Sequence, residues 1–378
     1  MLLAICCGGL RASARGKSGI TLLDMSERPR LSPAVAATRR VVRDCWDEAE
    51  LAPGSLVLVA LSGGADSLAL AAAAAFEAGK QGMRLGAVVI DHGMQAGSAE
   101  VAESAADAAG RLGMDPVLVR RVVVGQDGGP EAAARAARYG ALVQAADELG
   151  AAAIMTGHTL DDQAETVLLG LARGSGPTSL QGMPAIAALD AVGRPADEGL
   201  PLLRPLLGLR RAQTEAACEA QGLTPWQDPM NTDPAYTRVR VRSTVLPLLE
   251  QELGPGVAEA LARTAELLRE DAAALDQQVE ELLGELVQPA EGGLAIPVAA
   301  LAANPAALRN RIIRAVARLE FGVTLSREHT LAAARLVTHW HGQHGVDIPG
   351  IRVVRQGAML FFTTAPKGHT LAVIEHDH

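Results

Sequence analysis

The sequence is poor in aromatic residues, in cysteine and in long apolar runs, and each scarcity narrows the functions open to it. Phe, Trp and Tyr together make up 2% of 378 residues, so any nucleobase binding has few aromatic platforms to stack on. The four cysteines, Cys6, Cys7, Cys45 and Cys218, form no C-x-x-C pair and stand at no His/Cys ligand spacing, which argues against both a zinc site and a redox couple and suits reduced cytosolic thiols. No stretch approaches the ~18 consecutive apolar residues of a membrane span. The run Met1-Leu2-Leu3-Ala4-Ile5-Cys6-Cys7 is also too short for a signal-peptide core and has no basic residue before it. A cytoplasmic protein without a membrane partner is expected. Net basic charge is lacking too: 34 Lys and Arg against 43 Asp and Glu give −9, which disfavours a general nucleic-acid binder. Any RNA contact must rest on positive charge concentrated locally.

What is present is a large, alanine-rich apolar fraction, 49% of the chain, enough for a sizeable core of helices packed closely through small side chains. The length exceeds the usual range of one compact core. We expect a disordered extension over 1–33, with Met25 as an alternative start, a catalytic α/β domain over 34–250, and a smaller, mainly helical domain over 251–378.

The chain is organised around the stretch from Leu56 to Ser67, LVLVALSGGADS. Its unbroken apolar half suits a strand covered on both faces. The Gly63-Gly64 pair permits a sharp turn and a close approach of backbone to ligand, and the alanine-rich run after Ser67 reads as a helix. Ser62, Ser67 and the free N–H groups at that helix start converge on one small volume where the helix dipole favours an anion. No Lys follows the glycines, so the loop is not of the Gly-Lys-Ser/Thr type. Asp66 inside an anion site makes sense as a ligand for a divalent cation bridging phosphates.

Further apolar runs at 85–90, 117–124 and 152–156, with helical patterns at 34–51, 96–112 and 130–149, continue a strand–helix alternation. That alternation predicts a doubly wound parallel sheet with its ligand at the carboxyl ends of the strands. Two polar clusters stand there. Asp91-His92 ends the second strand. Gly157-His158-Thr159-Leu160-Asp161-Asp162-Gln163-Ala164-Glu165-Thr166 ends the fourth, and Asp162 and Glu165, three apart, share a helix face able to hold Mg²⁺ or an ammonium. Helix-start acids complementing the dipole are the plainer reading of either one alone. Between the clusters, Arg138 beside Tyr139 is suited to a phosphate or carboxylate, and Glu131–Arg135 to a surface ion pair. Arg173 to Pro184 is glycine-rich, either a lid or a connecting loop.

The Ser62–Ser67 loop resembles the SGGxDS loop of the N-type ATP pyrophosphatases. With Asp91-His92-Gly93, Glu131 to Tyr139, Gly157 to Thr166, Arg173-Gly174-Ser175-Gly176, Arg204-Pro205-Leu206-Leu207, Asp228 with Asn231 and Asp233, and Tyr236-Thr237-Arg238 through Arg242 to Leu246-Pro247, the chain is similar to tRNA(Ile)-lysidine synthetases over about residues 55–250. It departs from them at Met94-Gln95, where the family usually has a Leu-Arg pair, and within Arg238-Val239-Arg240-Val241-Arg242, which has Val where the family often has Asn. The resemblance implies an ATP-dependent carbon–nitrogen ligase that joins L-lysine to C2 of the wobble cytidine in the CAU anticodon of tRNA(Ile), through an adenylated cytidine, with loss of pyrophosphate and then AMP. It further implies that Ser62, Gly63, Gly64, Ala65, Asp66, Ser67, Asp91 and His92 bind ATP and that Asp66 carries Mg²⁺. Asp66, Arg138, His158, Asp162 and Glu165 would form the reacting centre, with Asp162 and Glu165 around the incoming amine.

Arg204, Arg210, Arg211, Arg238, Arg240 and Arg242 supply the local positive charge that the net value conceals. No Asp or Glu occurs between 204 and 214, and we expect these six to contact tRNA. Arginines over 306–319 would extend the track, His339, Trp340, His341 and His344 read as a Trp anchor among surface histidines, and 351–362 reads as a hairpin. A cytidine thiolase on the same fold would need reactive cysteines, which the spacing does not offer. A non-catalytic RNA-binding protein would not need Asp66, His158, Asp162 and Glu165 together. The oligomeric state is open, with a homodimer as one option.

Overall fold

The apolar run becomes β1 (Leu56–Ala60), and Val57, Leu58 and Val59 have no exposed surface, as expected for a strand covered on both faces. In the computed structural model, residues 31–365 are described except 94–96, 124, 126–129, 175 and 190–198. The expected 1–33 extension therefore lies almost wholly outside the described residues, as do Cys6, Cys7, Met94, Gln95, Ser175 and the Glu131 side chain.

After α1 (Pro33–Glu48), which Pro33 opens at a position where no N–H is needed, the alternation runs as the periodicity predicts. It comprises β1, α2 (Ala65–Gln81), β2 (Arg84–Asp91), α3 (Ser98–Arg111), β3 (Val117–Arg121), α4 (Pro130–Leu149), β4 (Ala153–Met155), α5 (Leu160–Ala172), the short α6 (Pro177–Leu180), β5 (Ile186–Leu189) and β6 (Leu200–Leu203). The six strands form one sheet in the order β3-β2-β1-β4-β6-β5, parallel except for the β5–β6 pair. β1 pairs with β2 on one side and β4 on the other, so strand order reverses at β1 and a crevice opens above its carboxyl end. One face is covered by α1, α2 and α3, whose small residues Ala69, Ala71, Ala73, Ala74, Ala105 and Ala109 let helix and sheet backbones approach closely. Trp46 of α1 reaches across to β4, its indole Nε1 donating to Met155 Sδ at 3.2 Å. α4 covers the other face through Leu142, Ala145 and Ala146.

The chain then crosses the carboxyl edge as α7 (Arg211–Ala220), α8 (Thr237–Arg240), a single π turn (Val241–Val245) and α9 (Leu246–Leu253). The apolar spacing over 256–287 folds as one helix of 30 residues, α10 (Val257–Leu286), which packs along α5 through Ala258, Leu160 and Ala164. Beyond it the sequence pattern showed amphipathic helices at 306–319 and 326–337 and, of the strands, only the last hairpin. β10 (Ile351–Gln356) and β11 (Met359–Thr364) form that hairpin within a five-stranded antiparallel sheet with β7 (Gln288–Ala290), β8 (Gly293–Pro297) and β9 (Val346–Ile348). The three added strands escape notice because two have only three residues and β8 leads straight into α11 (Val298–Ala303). With α12 (Ala306–Phe321) and α13 (Arg327–Thr338) this sheet encloses a second core of Ile296, Ile312, Ile313, Leu336, Val353 and Phe362. Trp340 packs against it with the Arg355 guanidinium 5.3 Å from its ring centre. Among the described residues no helix is long and apolar enough to cross a membrane.

Candidate active site

The loop after β1 is braced by its own hydroxyls. Ser67 Oγ accepts from Ser62 N at 3.2 Å, lies 3.1 Å from Ser62 Oγ and donates to the Gly64 carbonyl at 3.0 Å. Gly63, at φ +81°, makes the turn that a side chain would strain, and its carbonyl accepts from Trp226 N at 2.9 Å. The following helix leaves the N–H groups of its first turn facing the crevice. Behind the loop stands Gly157: a Cβ there would lie 2.9 Å from the Asp66 carbonyl carbon and 3.0 Å from Ser67 N. The segment leaving β4 thus touches the loop backbone directly, a contact that only glycine permits.

The sequence-predicted residues gather at this crevice in two groups. In the first, α5 presents its acids. Thr159 caps the helix, its N–H and hydroxyl both donating to Asp162 Oδ2 at 2.8 and 2.9 Å, so the plain reading of Asp162 as a helix-start acid holds for one of its oxygens. The other, Oδ1, faces Arg211 Nη2 at 3.0 Å and Arg242 Nη2 at 3.3 Å. Glu165, with no exposed surface, takes Arg242 Nε on Oε1 at 2.7 Å and Arg242 Nη2 and Arg238 Nε on Oε2 at 3.0 Å each. Arg211 Nη1 stands 3.7 Å from Glu165 Oε1, and Arg211 Nε reaches back 3.2 Å to Asp66 Oδ2. Asp66 also accepts from the Thr214 hydroxyl. Burial is the first influence on Asp66 and pushes its carboxyl above the usual range, against Thr214 and Arg211, with the neighbouring Asp162 adding to the rise. Asp162 goes the other way: burial would raise it, but Arg211, the Thr159 amide and further cations hold it below the usual range.

The second group is basic. His158 Nδ1 lies 2.9 Å from Thr156 Oγ1. Its imidazole is held far below its ordinary range by burial first, then by the guanidiniums of Arg138, Arg204 and Arg135, which together outweigh the attraction of Asp162. His158 is therefore neutral at pH 7 and offers a hydrogen bond, not a charge. Arg135 and Arg138 stand over the Tyr139 ring at 4.9 and 5.2 Å from its centre. Arg138 Nε, Arg204 Nε and His92 Nδ1 are buried without a hydrogen-bond partner, so donors are waiting on this side for an acceptor. Asp91 is occupied: Oδ1 accepts from Gly93 N at 2.9 Å, and the Ser98 hydroxyl together with that amide holds its pKa down.

The six arginines expected on RNA are largely redirected. Arg204 is 6% exposed and donates from Nη1 to the Pro184 carbonyl at 2.8 Å. Arg211, Arg238 and Arg242 lie inside the carboxylate cluster, and Arg210 pairs with Asp161 at 3.4 Å and Glu259 at 3.3 Å. Arg240 points away, donating to the Pro234 and Ala235 carbonyls at 2.7 and 2.9 Å. The sequence does not show these pairings because the acids come from other elements: Asp161, Asp162 and Glu165 from α5, Glu250 from α9 and Glu259 from α10. Residues 238–242 also fold as a helix, which places 238 and 242 on one face and turns 240 off it. Sequence reasoning missed Thr214, which shares the first turn of α7 with Arg211, and Gln163, whose amide clamps Met183 by bonds of 2.7 and 2.8 Å to its N–H and carbonyl. Arg269 of α10 adds a bond to the Gln181 carbonyl. The described end of the glycine-rich segment is thus anchored, as a connecting loop would be.

Two family models match the chain: a PP-loop domain over residues 37–249 and a TilS substrate binding domain over 296–360. The tRNA(Ile)-lysidine synthase of Leifsonia xyli subsp. xyli is 64% identical over 82% of this chain and 91% of its own length. That of Salinispora tropica is 53% identical over 87% and 96%. Among solved structures, the U34-tRNA thiolase NcsA of Methanococcus maripaludis shares the fold, with a TM-score of 0.51 and 21% identity over 62% of this chain and 80% of that one. A loop built to cradle phosphates, facing buried carboxylates across one arginine, and likeness over nearly the full length of these relatives lead to one conclusion: the chain belongs to the tRNA(Ile)-lysidine synthase family.

Proposed function

We propose that the chain ligates free L-lysine to C2 of the wobble cytidine in CAU-anticodon tRNA(Ile), and that its reacting centre is the crevice between the Ser62–Ser67 loop and α5. The observation that carries this reading is the convergence of the two ends: Arg211 lies within 3.2 Å of Asp66 in the phosphate loop and 3.0 Å of Asp162 on α5. Phosphate release and amine delivery therefore fall in one volume. The cytidine C2 oxygen attacks the α phosphate and pyrophosphate leaves. The ε-amine then displaces AMP at C2 and loses a proton.

The loop N–H groups and the Ser62 and Ser67 hydroxyls bind the departing pyrophosphate, where aligned donors act on charge as it develops. Arg138 and Arg204, with unpartnered Nε atoms, and neutral His158 orient the α phosphate and the base. Asp91 and His92 border the adenosine. The chain offers one carboxylate, Asp66, next to the phosphate loop, which fits Mg²⁺, an ion commonly held by one or two carboxylates with water and substrate phosphates. When bound it would neutralise charge on the leaving pyrophosphate. A cavity of about 130 Å³ borders Glu165 and Arg211 and is lined also by Asp161, Arg210, Leu246 and Glu250. Charges of both signs around an apolar wall suit a zwitterion with an aliphatic stem, and we assign it to lysine.

A partition at about residue 250 is supported by the end of the PP-loop match at 249 and of α9 at Leu253. The part beyond it, with exposed Arg314 and Arg318 on α12, would hold the body of the tRNA. Incubation with CAU-anticodon tRNA, ATP, Mg²⁺ and labelled lysine should give lysine on RNA with one pyrophosphate released per lysine. Pyrophosphate release that needs no tRNA, or no label on RNA, would refute the reading.

A further inference from the structure

Delivery of an ammonium to α5 raises a problem of charge. Asp66, Asp162 and Glu165 face Arg211, Arg238 and Arg242, three carboxylates against three guanidiniums. Both oxygens of Glu165 are taken, and so are both of Asp162, one by the Thr159 cap and one by two arginines. A balanced, saturated cluster offers a further cation little attraction, and a cation entering it would have to be stripped of water for nothing in return.

The arginines differ in reach. Arg238 and Arg242 touch α5 alone, and their loss from Glu165 would leave it buried and unpaired. Arg211 spans the crevice, with Nε on Asp66, Nη2 on Asp162 and Nη1 toward Glu165. Its backbone cannot follow a ligand. Arg211 N donates to Asp161 Oδ2 at 2.7 Å, and Leu160 N donates to the Leu209 carbonyl at 2.9 Å, so the starts of α5 and α7 are tied together. The side chain, 22% exposed, is the part able to turn.

We propose that Arg211 couples the two substrates: without nucleotide its guanidinium holds the place of the amine beside Asp162 and Glu165, and a triphosphate on the Ser62–Ser67 loop draws it off and vacates that place for the lysine ε-ammonium. The inference rests on the ligation reading above. A guanidinium matches phosphate oxygens in two-point geometry, and the loop that would hold them contains Asp66, which Arg211 already touches. Once the guanidinium turns, Asp162 Oδ1 and Glu165 Oε1 each lose a cationic neighbour, Nη2 at 3.0 Å and Nη1 at 3.7 Å, and an ammonium can take that place. ATP thus prepares the amine site, and by linkage lysine tightens ATP to the same degree. Arg211 is on this account a positioning residue for the amine. Its place in the sequence, within a run free of acids, gives no hint of the role.

The test is calorimetric titration of L-lysine into the full chain, alone and saturated with Mg²⁺ and α,β-methylene-ATP, which cannot be cut at the α–β bond. We expect about a tenfold or greater gain in lysine affinity with the analogue, or about 1.4 kcal/mol, and an equal gain for the analogue when lysine is present. Arg211→Gln should bind lysine more tightly than wild type in the absence of nucleotide, bind the analogue more weakly, and bring the ratio to within about twofold. An arginine that merely braced the fold would weaken lysine binding on removal. Equal lysine affinities with and without the analogue in the wild-type chain would overturn the coupling alone, whether or not the variant folds, as would a folded variant that kept the full ratio. Absence of lysine binding in every state, with CAU-anticodon tRNA and the analogue both present, would overturn the ligation reading and the coupling with it.

Discussion

Gly157→Ala tests how firmly the phosphate loop is backed. The added Cβ would stand 2.9 Å from the Asp66 carbonyl carbon, 3.0 Å from its oxygen and 3.0 Å from Ser67 N. Carbon contacts relax at about 3.5–4.0 Å, so roughly 0.5 Å or more of separation must be created. All three neighbours are backbone, in the turn that opens α2, and none can rotate away as the end of a flexible side chain would. Overpacking of this kind costs about 1–3 kcal/mol. If the β4 side holds still, the loop moves and the strain appears as lost nucleotide affinity, roughly 5- to 140-fold at 1.4 kcal/mol per factor of ten. If the loop holds still, the same energy appears as lost stability. Titration with α,β-methylene-ATP and urea unfolding of the same variant together recover the total. Gly79→Ala is the control, since a Cβ there meets nothing within 4 Å and Gly79 lies within α2, so helix propensity predicts a gain of about 0.5–1 kcal/mol. A Gly157→Ala chain with wild-type affinity and wild-type stability would refute the close contact between β4 and the loop.

Two further outcomes follow from the site. Glu165→Gln removes a fully buried carboxylate and leaves the Arg238 and Arg242 guanidiniums, 28% and 29% exposed, without their main partner. Breaking a fully buried pair costs about 3–5 kcal/mol, and partial exposure of the arginines lowers this to about 2–3 kcal/mol; a loss under about 0.5 kcal/mol in urea unfolding would be inconsistent with the cluster. For His158 the folded pKa lies below the ordinary 6.5, so on acidification the unfolded chain takes up a proton that the folded chain refuses. Stability from this residue is complete above pH 6.5 and lost as pH falls below it, at up to about 1.4 kcal/mol per pH unit. Unfolding free energies between pH 7 and 5 should therefore fall less steeply in His158→Gln than in wild type, and parallel slopes would show that the imidazole is not held neutral.

The loop and the sheet were legible because their information is local. Leu56–Ala60 needs only its apolar run to be a covered strand, and Ser62 to Ser67 needs only its own hydroxyls and glycines to form the cradle. The three added strands of the second sheet were not legible, because Gln288–Ala290 and Val346–Ile348 are too short to carry a period and are strands only by virtue of their neighbours.

The arginines mark where local reading fails for a physical reason. Between 204 and 214 the chain contains no acid to neutralise Arg204, Arg210 and Arg211, and a net positive segment reads as an RNA surface. Electrostatic pairing, however, is set by distance in space, and the start of α7 is docked on the start of α5, where two consecutive acids wait. Asp161 takes the Arg211 N–H and the Arg210 side chain; Asp162 takes the Arg211 side chain. One alternating run, Arg238-Val239-Arg240-Val241-Arg242, looks like a single basic strip but is split by helical geometry into two side chains that face Glu165 and one that does not. Charge hidden from the net value of −9 is in this way spent inside the crevice, where it pairs with buried carboxylates. If the chain ligates lysine as proposed, contact with tRNA draws on arginines without such partners, and selectivity for lysine comes from exchanging one cation for another at the same carboxylates. Attraction of a cation to an open negative patch would not supply that selectivity.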